Sequence, residues 1–275
     1  MVETPDASAR RLTTPKPARA TRLGRPPAIP DDELRDRMFA AAGEMIEEAG
    51  GFSLSTENVQ LEAVMRRANV SRSAVYRVWP SKEDFTFDLL QAFASDGSGG
   101  VGPFGDEGRA KAGEVMARHQ DSLNTSEGRR AAMVDAIREV ARDNFHLIIA
   151  SRRWRRYPAL AITADALDAE RAEAVLDRMR ATEEKFYREY EEFYSQMFAG
   201  LGLRAKTPFT DENAAHVLTR LTIALFEGLA LQHTVNPDVG DTVYPAEATP
   251  DNTWILPAAG FLALVDGVCE PVPTD

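Results

Sequence analysis

From residue 31 onward, apolar side chains return at helical spacing. Leu34, Met38, Ala41, Ala42, Met45, Ile46 and Ala49 fall on one stripe, which predicts a helix that Asp31 or Asp32 is placed to cap. Gly50 and Gly51 then stop it, as residues that tolerate positive φ commonly do. A second, short helix is predicted over about Val59–Ala68 and a third over about Arg72–Trp79, which Pro80 breaks. Ser81, with Asp84 three positions on, forms a capping box for a fourth helix carrying Phe85, Leu89, Leu90 and Phe93. Beyond a glycine-rich stretch the helical pattern resumes at about 107–123, 127–151, 168–199, 211–233 and 255–268. Gly128, Pro158, Pro208, Pro237, Pro245 and Pro250 supply the turn signals around these segments. No strand-like alternation of useful length is present, so the expected fold class is all-α.

The pattern divides the chain into four parts. Residues 1–30 hold six prolines and few large apolar side chains, too little burial to offset the entropy of ordering, and are expected to be a disordered arm. Residues 31–94 form a small helical domain, 95–105 a linker, and 106–275 a larger helical bundle. The single cysteine, Cys269, cannot close an internal disulfide and is too few for a zinc or iron–sulfur framework. Residues 1–30 lack the apolar core of a signal peptide, and the uncharged stretch Asn252–Val265 is too short to span a bilayer. A cytoplasmic protein with no membrane partner is expected.

Charge changes this picture locally. The chain carries a net −11, which on its own disfavours a polyanionic partner. The arm, however, has six basic residues against two acidic ones, and residues 66–82 contain Arg66, Arg67, Arg72, Arg77 and Lys82 with no acidic residue. A concentrated patch says more about a nucleic-acid site than the sum over the chain.

That patch coincides with a helix-turn-helix pattern. In the segment LEAVMRRANVSRSAVYRVW from Leu61, the residues Val64, Ala68, Val70, Val75 and Val78 lie where two steeply crossing helices must pack. Asn69 stands at the turn, where positive φ is needed, and Ser71 can cap the second helix. The outward positions are then Arg72, Ser73, Tyr76 and Arg77, a donor-rich face suited to phosphate oxygens and to the acceptors of guanine in a major groove.

The stretch Val64–Phe85, VMRRANVSRSAVYRVWPSKEDF, resembles the tetracycline-repressor (TetR) family of bacterial transcriptional regulators. Val70, Tyr76, the aromatic Trp79 and Ser81-Lys82-Glu83 match that family's pattern. Met65 stands where a small residue is usual, and Asn69 where glycine is. The resemblance implies an N-terminal helix-turn-helix DNA-binding domain, a C-terminal helical bundle for ligand binding and dimerisation, and a homodimer on a double-stranded DNA operator. It implies that Arg72, Ser73 and Ala74 face base edges, that Tyr76 and Lys82 grip phosphates, and that Arg77 serves either role. In the arm, Gly24-Arg25-Pro26 resembles an AT-hook core, in which Arg25 enters a minor groove.

The C-terminal half is less specific. Residues from Ala214 to Ala230 are apolar on more than one helix face, and Pro257–Val268 are apolar almost all round, which suits a second copy of the chain. Phe145, Trp154, Tyr157, Phe186, Tyr190 and Phe226, with His146 as a polar group, are candidate lining for an unknown small-molecule effector. Gly97–Gly102 matches G-x-G-x-x-G, but without a preceding strand or a following helix N-terminus it is a hinge rather than a dinucleotide site. The four histidines are scattered, and no nucleophile motif appears. No catalytic residue, metal or cofactor is called, and an enzyme is not expected. The expected function is a regulator of transcription, a repressor released by its effector. The alternative is a helical small-molecule-binding or scaffold protein that no longer reads DNA.

Overall fold

The structure, a computed structural model, describes residues 29–49, 60–96, 106–241, 243–245 and 253–272. Among these the fold is all-α. The helices are α1 (Asp31–Glu48), α2 (Leu61–Ala68), α3 (Arg72–Val78), α4 (Lys82–Asp96), α5 (Asp106–Arg118), α6 (Ser126–Ala150), α7 (Arg152–Ala164), α8 (Ala169–Leu201), α9 (Ala214–Val235) and α10 (Leu256–Val268). Two antiparallel strand pairs accompany them. β1 (Leu203–Ala205) pairs with β4 (Cys269–Pro271), and β2 (Val243–Pro245) pairs with β3 (Thr253–Ile255). Three-residue ladders are too short to produce a legible alternation, which is why the sequence gives no warning of them.

Three local expectations need correction. Pro30, not Asp31 or Asp32, occupies the N-cap of α1. Those aspartates sit in its first turn, where the helix dipole favours negative charge. Ser95 and Asp96, expected to begin a linker, are the last residues of α4. Pro158, expected to mark a turn, lies inside α7. Proline costs that helix one hydrogen bond, and the burial of Trp154, Tyr157, Ala159 and Leu160 around it offsets the loss. Gly50, Gly51, the arm with Arg25, and the glycine-rich stretch 97–105 lie outside the described residues.

Two hydrophobic cores organise the chain. The first gathers Leu34, Met38, Val64, Val75, Trp79, Phe85, Leu89 and Leu90 from α1–α4, and it extends to Leu160 of α7 and to Val175 and Met179 of α8. The second joins α6, α8, α9 and α10 through Phe145, Tyr194, Phe198, Leu218, Phe226, Phe261 and Val265. Helices α7 and α8 contribute to both, and the 33 residues of α8 span about 50 Å at 1.5 Å per residue.

Candidate nucleic-acid interface

Helices α2 and α3 cross over Val64, Met65 and Val75, all buried, with Ala68, Val70 and Val78 packed at the edge. The chain turns between them at Asn69, with φ 52° and ψ 48°, the left-handed conformation that asparagine tolerates better than most residues. Met65, bulky where the TetR pattern is small, is absorbed into the core with 3% of its surface exposed. Ser71 caps α3, its Oγ accepting from the Ala74 amide at 3.3 Å. Ser81 caps α4 in the same way, accepting from the Asp84 amide at 3.1 Å. Trp79 ends α3 fully buried, edge-on to Phe85 at 5.1 Å between ring centroids, and its Nε1 donates to Asp88 at 2.8 Å. These contacts fix one side of a seven-residue helix, so its other side is presented as a rigid unit.

On that other side Arg72, Ser73, Tyr76 and Arg77 are exposed. Positions i, i+1, i+4 and i+5 share one helix face, opposite the buried Val75. Arg72 stacks over the Tyr76 ring at 5.3 Å. Ala74 is half-buried against the first core, and Lys82 is half-buried in the first turn of α4.

The electrostatics are more balanced than the sequence window suggested. Arg72 Nη1 lies 3.2 Å from Glu62 on α2, and Arg77 Nη2 lies 2.5 Å from Asp31 on α1. Arg67 donates to Glu48 at 2.6 Å and to Glu44 at 3.0 Å, and the Glu48 hydrogen bond holds its guanidinium far above the usual range for loss of its proton. Among the described residues, Arg66 has no carboxylate partner. Carboxylates from α1 and from the first turn of α2, outside the acid-free window 66–82, thus meet three of its cations. Glu62 and Asp31 contact the α3 face, and sequence reading missed them because their links to Arg72 and Arg77 depend on how the helices cross.

Residues 40–89 match the family model described as "Bacterial regulatory proteins, tetR family". These residues, from Ala40 in α1 to Leu89 in α4, are similar to the helix-turn-helix region of that family. The match takes in both helices of the helix-turn-helix, α2 and α3, with the turn at Asn69 between them. No curated protein sequence matches the chain. Solved structures similar to it include a TetR-family protein from Vibrio parahaemolyticus (18% identity, 86% of this chain and 98% of that one, TM-score 0.37). They also include NalD of Pseudomonas aeruginosa, the secondary repressor of the MexAB-OprM multidrug efflux pump (18% identity, 86% and 97%, TM-score 0.39). A third is the reduced form of NemR from Escherichia coli (15% identity, 88% and 100%, TM-score 0.38).

The seven residues expected to line an effector site do not converge on one cavity. An apolar cavity of about 80 Å³ lies between α5, α6, α8, α9 and α10, lined by Met116, Met133, Ile137, Phe193, Met197 and Phe226 among others. Phe226 is the one expected residue that lines it. Phe145 is buried in the second core, edge-on to His233 at 6.0 Å. Trp154 and Tyr190 are buried in the same core, and half-buried Phe186 packs on Tyr190 at 4.5 Å. Tyr157 belongs to the first core, where its hydroxyl donates to the Met179 carbonyl at 3.2 Å and burial raises its pKa. His146 is exposed, 3.9 Å from Asp241. The cavity instead takes a methionine-rich lining from α5, α6 and α8. Thr222, also in the lining, is buried.

Helix α9 is, by length and composition, apolar enough to cross a membrane. Its buried side, with Leu218, Phe226 and Leu229, packs into the second core, and the helix also carries Arg220 and Glu227. Leu221, Ala224, Leu231 and Val235 form an exposed stripe on it. The neighbouring stripe on α10 is made of small residues, Ala259, Gly260, Ala263 and Gly267. A Cβ on Gly260 would stand 3.0 Å from Leu225, so its absence is what allows α9 and α10 to approach closely. Among the described residues no group of histidine, cysteine, aspartate or glutamate is arranged to hold a metal.

Proposed function

We propose that this protein is a regulator of the TetR type, a homodimeric, cytoplasmic repressor that leaves its operator when a small-molecule effector enters the C-terminal helices. The observation that carries the reading is the exposure of Arg72, Ser73, Tyr76 and Arg77 on a short helix braced by the buried Val75. In this reading Arg72, Ser73 and Ala74 meet base edges, and Ala74, being half-buried, offers only its methyl group. Tyr76 and Lys82 hold phosphates, and Arg77 serves either role. Arg25, in the arm 1–30, adds a minor-groove or phosphate contact. Residues 31–96, to the end of α4, are the DNA-binding domain, and 106–275 the ligand-binding and dimerisation domain.

The exposed apolar stripe of α9, with Ala263 and Gly267 exposed on α10, supports a four-helix interface between two copies, which sets two α3 helices against successive major grooves. The coupling between halves runs through α7 and α8. Thr182 Oγ1 donates to the Ala94 carbonyl at 3.0 Å, Arg171 pairs with Asp84 at 2.9 Å, and Arg156 stacks over Phe93 at 4.6 Å. The Ser81 hydrogen bond, with help from Arg171, holds the Asp84 carboxyl below its usual pKa, so this latch is ionised at neutral pH. The apolar cavity, about 80 Å³, falls short of the ~300–1,000 Å³ of ordinary ligand pockets, so an effector must part the helices around it. Parting them moves α8, and with it α4 and α3, and the ligand's preference for the parted state depopulates the DNA-binding one.

Fluorescence anisotropy with a labelled duplex from the gene's own upstream region tests this. Tyr76→Ala and Lys82→Ala weaken binding to every duplex, whereas Arg72→Ala also relaxes preference for the operator over random DNA. Equal effects of all three on both duplexes would remove base reading from Arg72.

A further inference from the structure

A second cavity, of about 350 Å³, opens where the N-terminus of α6 meets the end of α8, the β1–β4 pair and the end of α10. Its apolar wall includes Leu203, Val265 and Pro271, and its charged lining is Arg129, Arg130, Lys206, Asp266 and Glu270. Met133 and Leu201 line this cavity and the apolar one alike, so they form the partition between the two. Both acids in the lining are already satisfied. Arg130 holds Asp266 with two hydrogen bonds, one of 2.7 Å, and Arg204 holds Glu270 at 2.7 and 3.0 Å.

The other two cations are not. Arg129 spends Nε on the Leu201 carbonyl at 3.0 Å and Nη1 on the Leu123 carbonyl at 3.1 Å. Lys206 Nζ donates to the Asp266 carbonyl at 3.2 Å. Neither has a carboxylate partner among the described residues, so each serves neutral acceptors and keeps its full charge. Gly202, in the left-handed conformation with φ 62°, ends α8, and a Cβ there would lie 3.3 Å from Arg129 Nη2. The buried Cys269 thiol, pushed up to about 12 by burial and then by Asp266 and Asp211, stays protonated and adds no negative charge. The cavity therefore joins two uncompensated cations to an apolar wall, beside a hydrophobic cavity divided from it by a flexible methionine.

We propose that this cavity binds an organic anion with an apolar body, its carboxylate or equivalent headgroup held by Arg129 and Lys206. Its apolar body displaces Met133 to enter the neighbouring cavity. The size suits such a ligand: this cavity alone lies within the ordinary range for small-molecule sites, whereas the apolar one does not. Taking this ligand as the regulatory effector rests on the reading given under Proposed function; the binding site itself does not.

Calorimetry on the full chain with octanoate, octan-1-ol and acetate tests the site. Octanoate binds, acetate and octanol bind at least about tenfold more weakly, and Lys206→Glu weakens octanoate by about tenfold or more while leaving octanol unchanged. Arg129→Gln does the same, and because Arg129 also ties two backbone carbonyls, the exposed Lys206 supplies the variant that leaves the fold intact. Absence of octanoate binding, equal binding of octanol, or indifference to both variants overturns the proposal. Octanoate that binds in this manner without changing operator affinity supports the site and counts against the effector reading alone.

Discussion

Glu62 pairs with Arg72, the arginine proposed to face DNA, and replacing it isolates that restraint. The Arg72–Glu62 pair is 3.2 Å apart with 71% and 52% of the two side chains exposed, so it lies in the high-dielectric regime where such pairs are worth about 0.2–1 kcal/mol. Arg72 must exchange Glu62 for a base edge or phosphate when DNA binds. Glu62→Gln removes that competition and deletes a negative charge within a Debye length, roughly 8 Å at physiological salt, of Arg72. At 1.4 kcal/mol per factor of ten, operator affinity should tighten about two- to five-fold. The gain should shrink as salt rises. Stability should fall slightly, by about 0.3–1 kcal/mol, because Glu62 also sits in the first turn of α2. Anisotropy titrations of the wild type, Glu62→Gln, Arg72→Ala and the double variant form a cycle that separates direct from indirect effects. The tightening should vanish in the Arg72→Ala background. Weaker binding by Glu62→Gln would refute the reasoning and make Glu62 a positioning residue for Arg72. An equal gain in both backgrounds would reduce the effect to general charge.

Other perturbations probe the scaffold and the bundle. Val75→Ala removes two methyl groups from a fully buried site at the helix crossing and should cost about 2–3 kcal/mol in urea unfolding; a loss under 0.5 kcal/mol would mean the crossing is not packed as described. Ser71→Ala should cost about 1 kcal/mol through loss of the α3 cap, and Ser71→Gly only a few tenths, in the same assay. Glu227 has much of its surface exposed, yet partial desolvation of its carboxyl by packed neighbours, and then the nearby Glu183, raise it from 4.5 to about 7. The folded chain therefore keeps a proton that the unfolded chain releases between those pH values, and stability declines as pH rises through that window. Glu227→Gln should abolish this decline, giving a higher melting temperature than wild type at pH 8 and an unchanged one at pH 4; the reverse order would show that Glu227 is stabilised as a carboxylate.

Much of the N-terminal fold was legible because its signals are local. Val64, Val75 and Val78 sit at helical spacing, Asn69 is one of few residues at ease in its turn, and Ser71 and Ser81 cap helices through backbone amides three residues away. Pro158 misled because a local breaker was overridden by long-range packing of Trp154 and Leu160. The acid-free patch misled for the opposite reason: Asp31, Glu44, Glu48 and Glu62 reach it only once the helices cross. The cavity lining was hidden by the similarity of its residues to ordinary core. Nothing along the chain distinguishes Met133 or Met197 from other core methionines, and Phe145 is packed in the second core, away from the apolar cavity. The paired cavities were hidden too, since Arg129 and Lys206 are 77 positions apart and neighbours only through the end of α8.

The central claim is that α3 enters a major groove with Arg72 at the base edges. Guanine N7 lies in that groove, so methylation protection on the gene's own upstream duplex reads the claim directly. The account predicts two clusters of protected guanines separated by about 34–36 Å or a multiple of it, one for each copy of α3, with protection lost in Arg72→Ala. Methylation unchanged by the protein at concentrations that shift the duplex, or protection that survives Arg72→Ala intact, would contradict it.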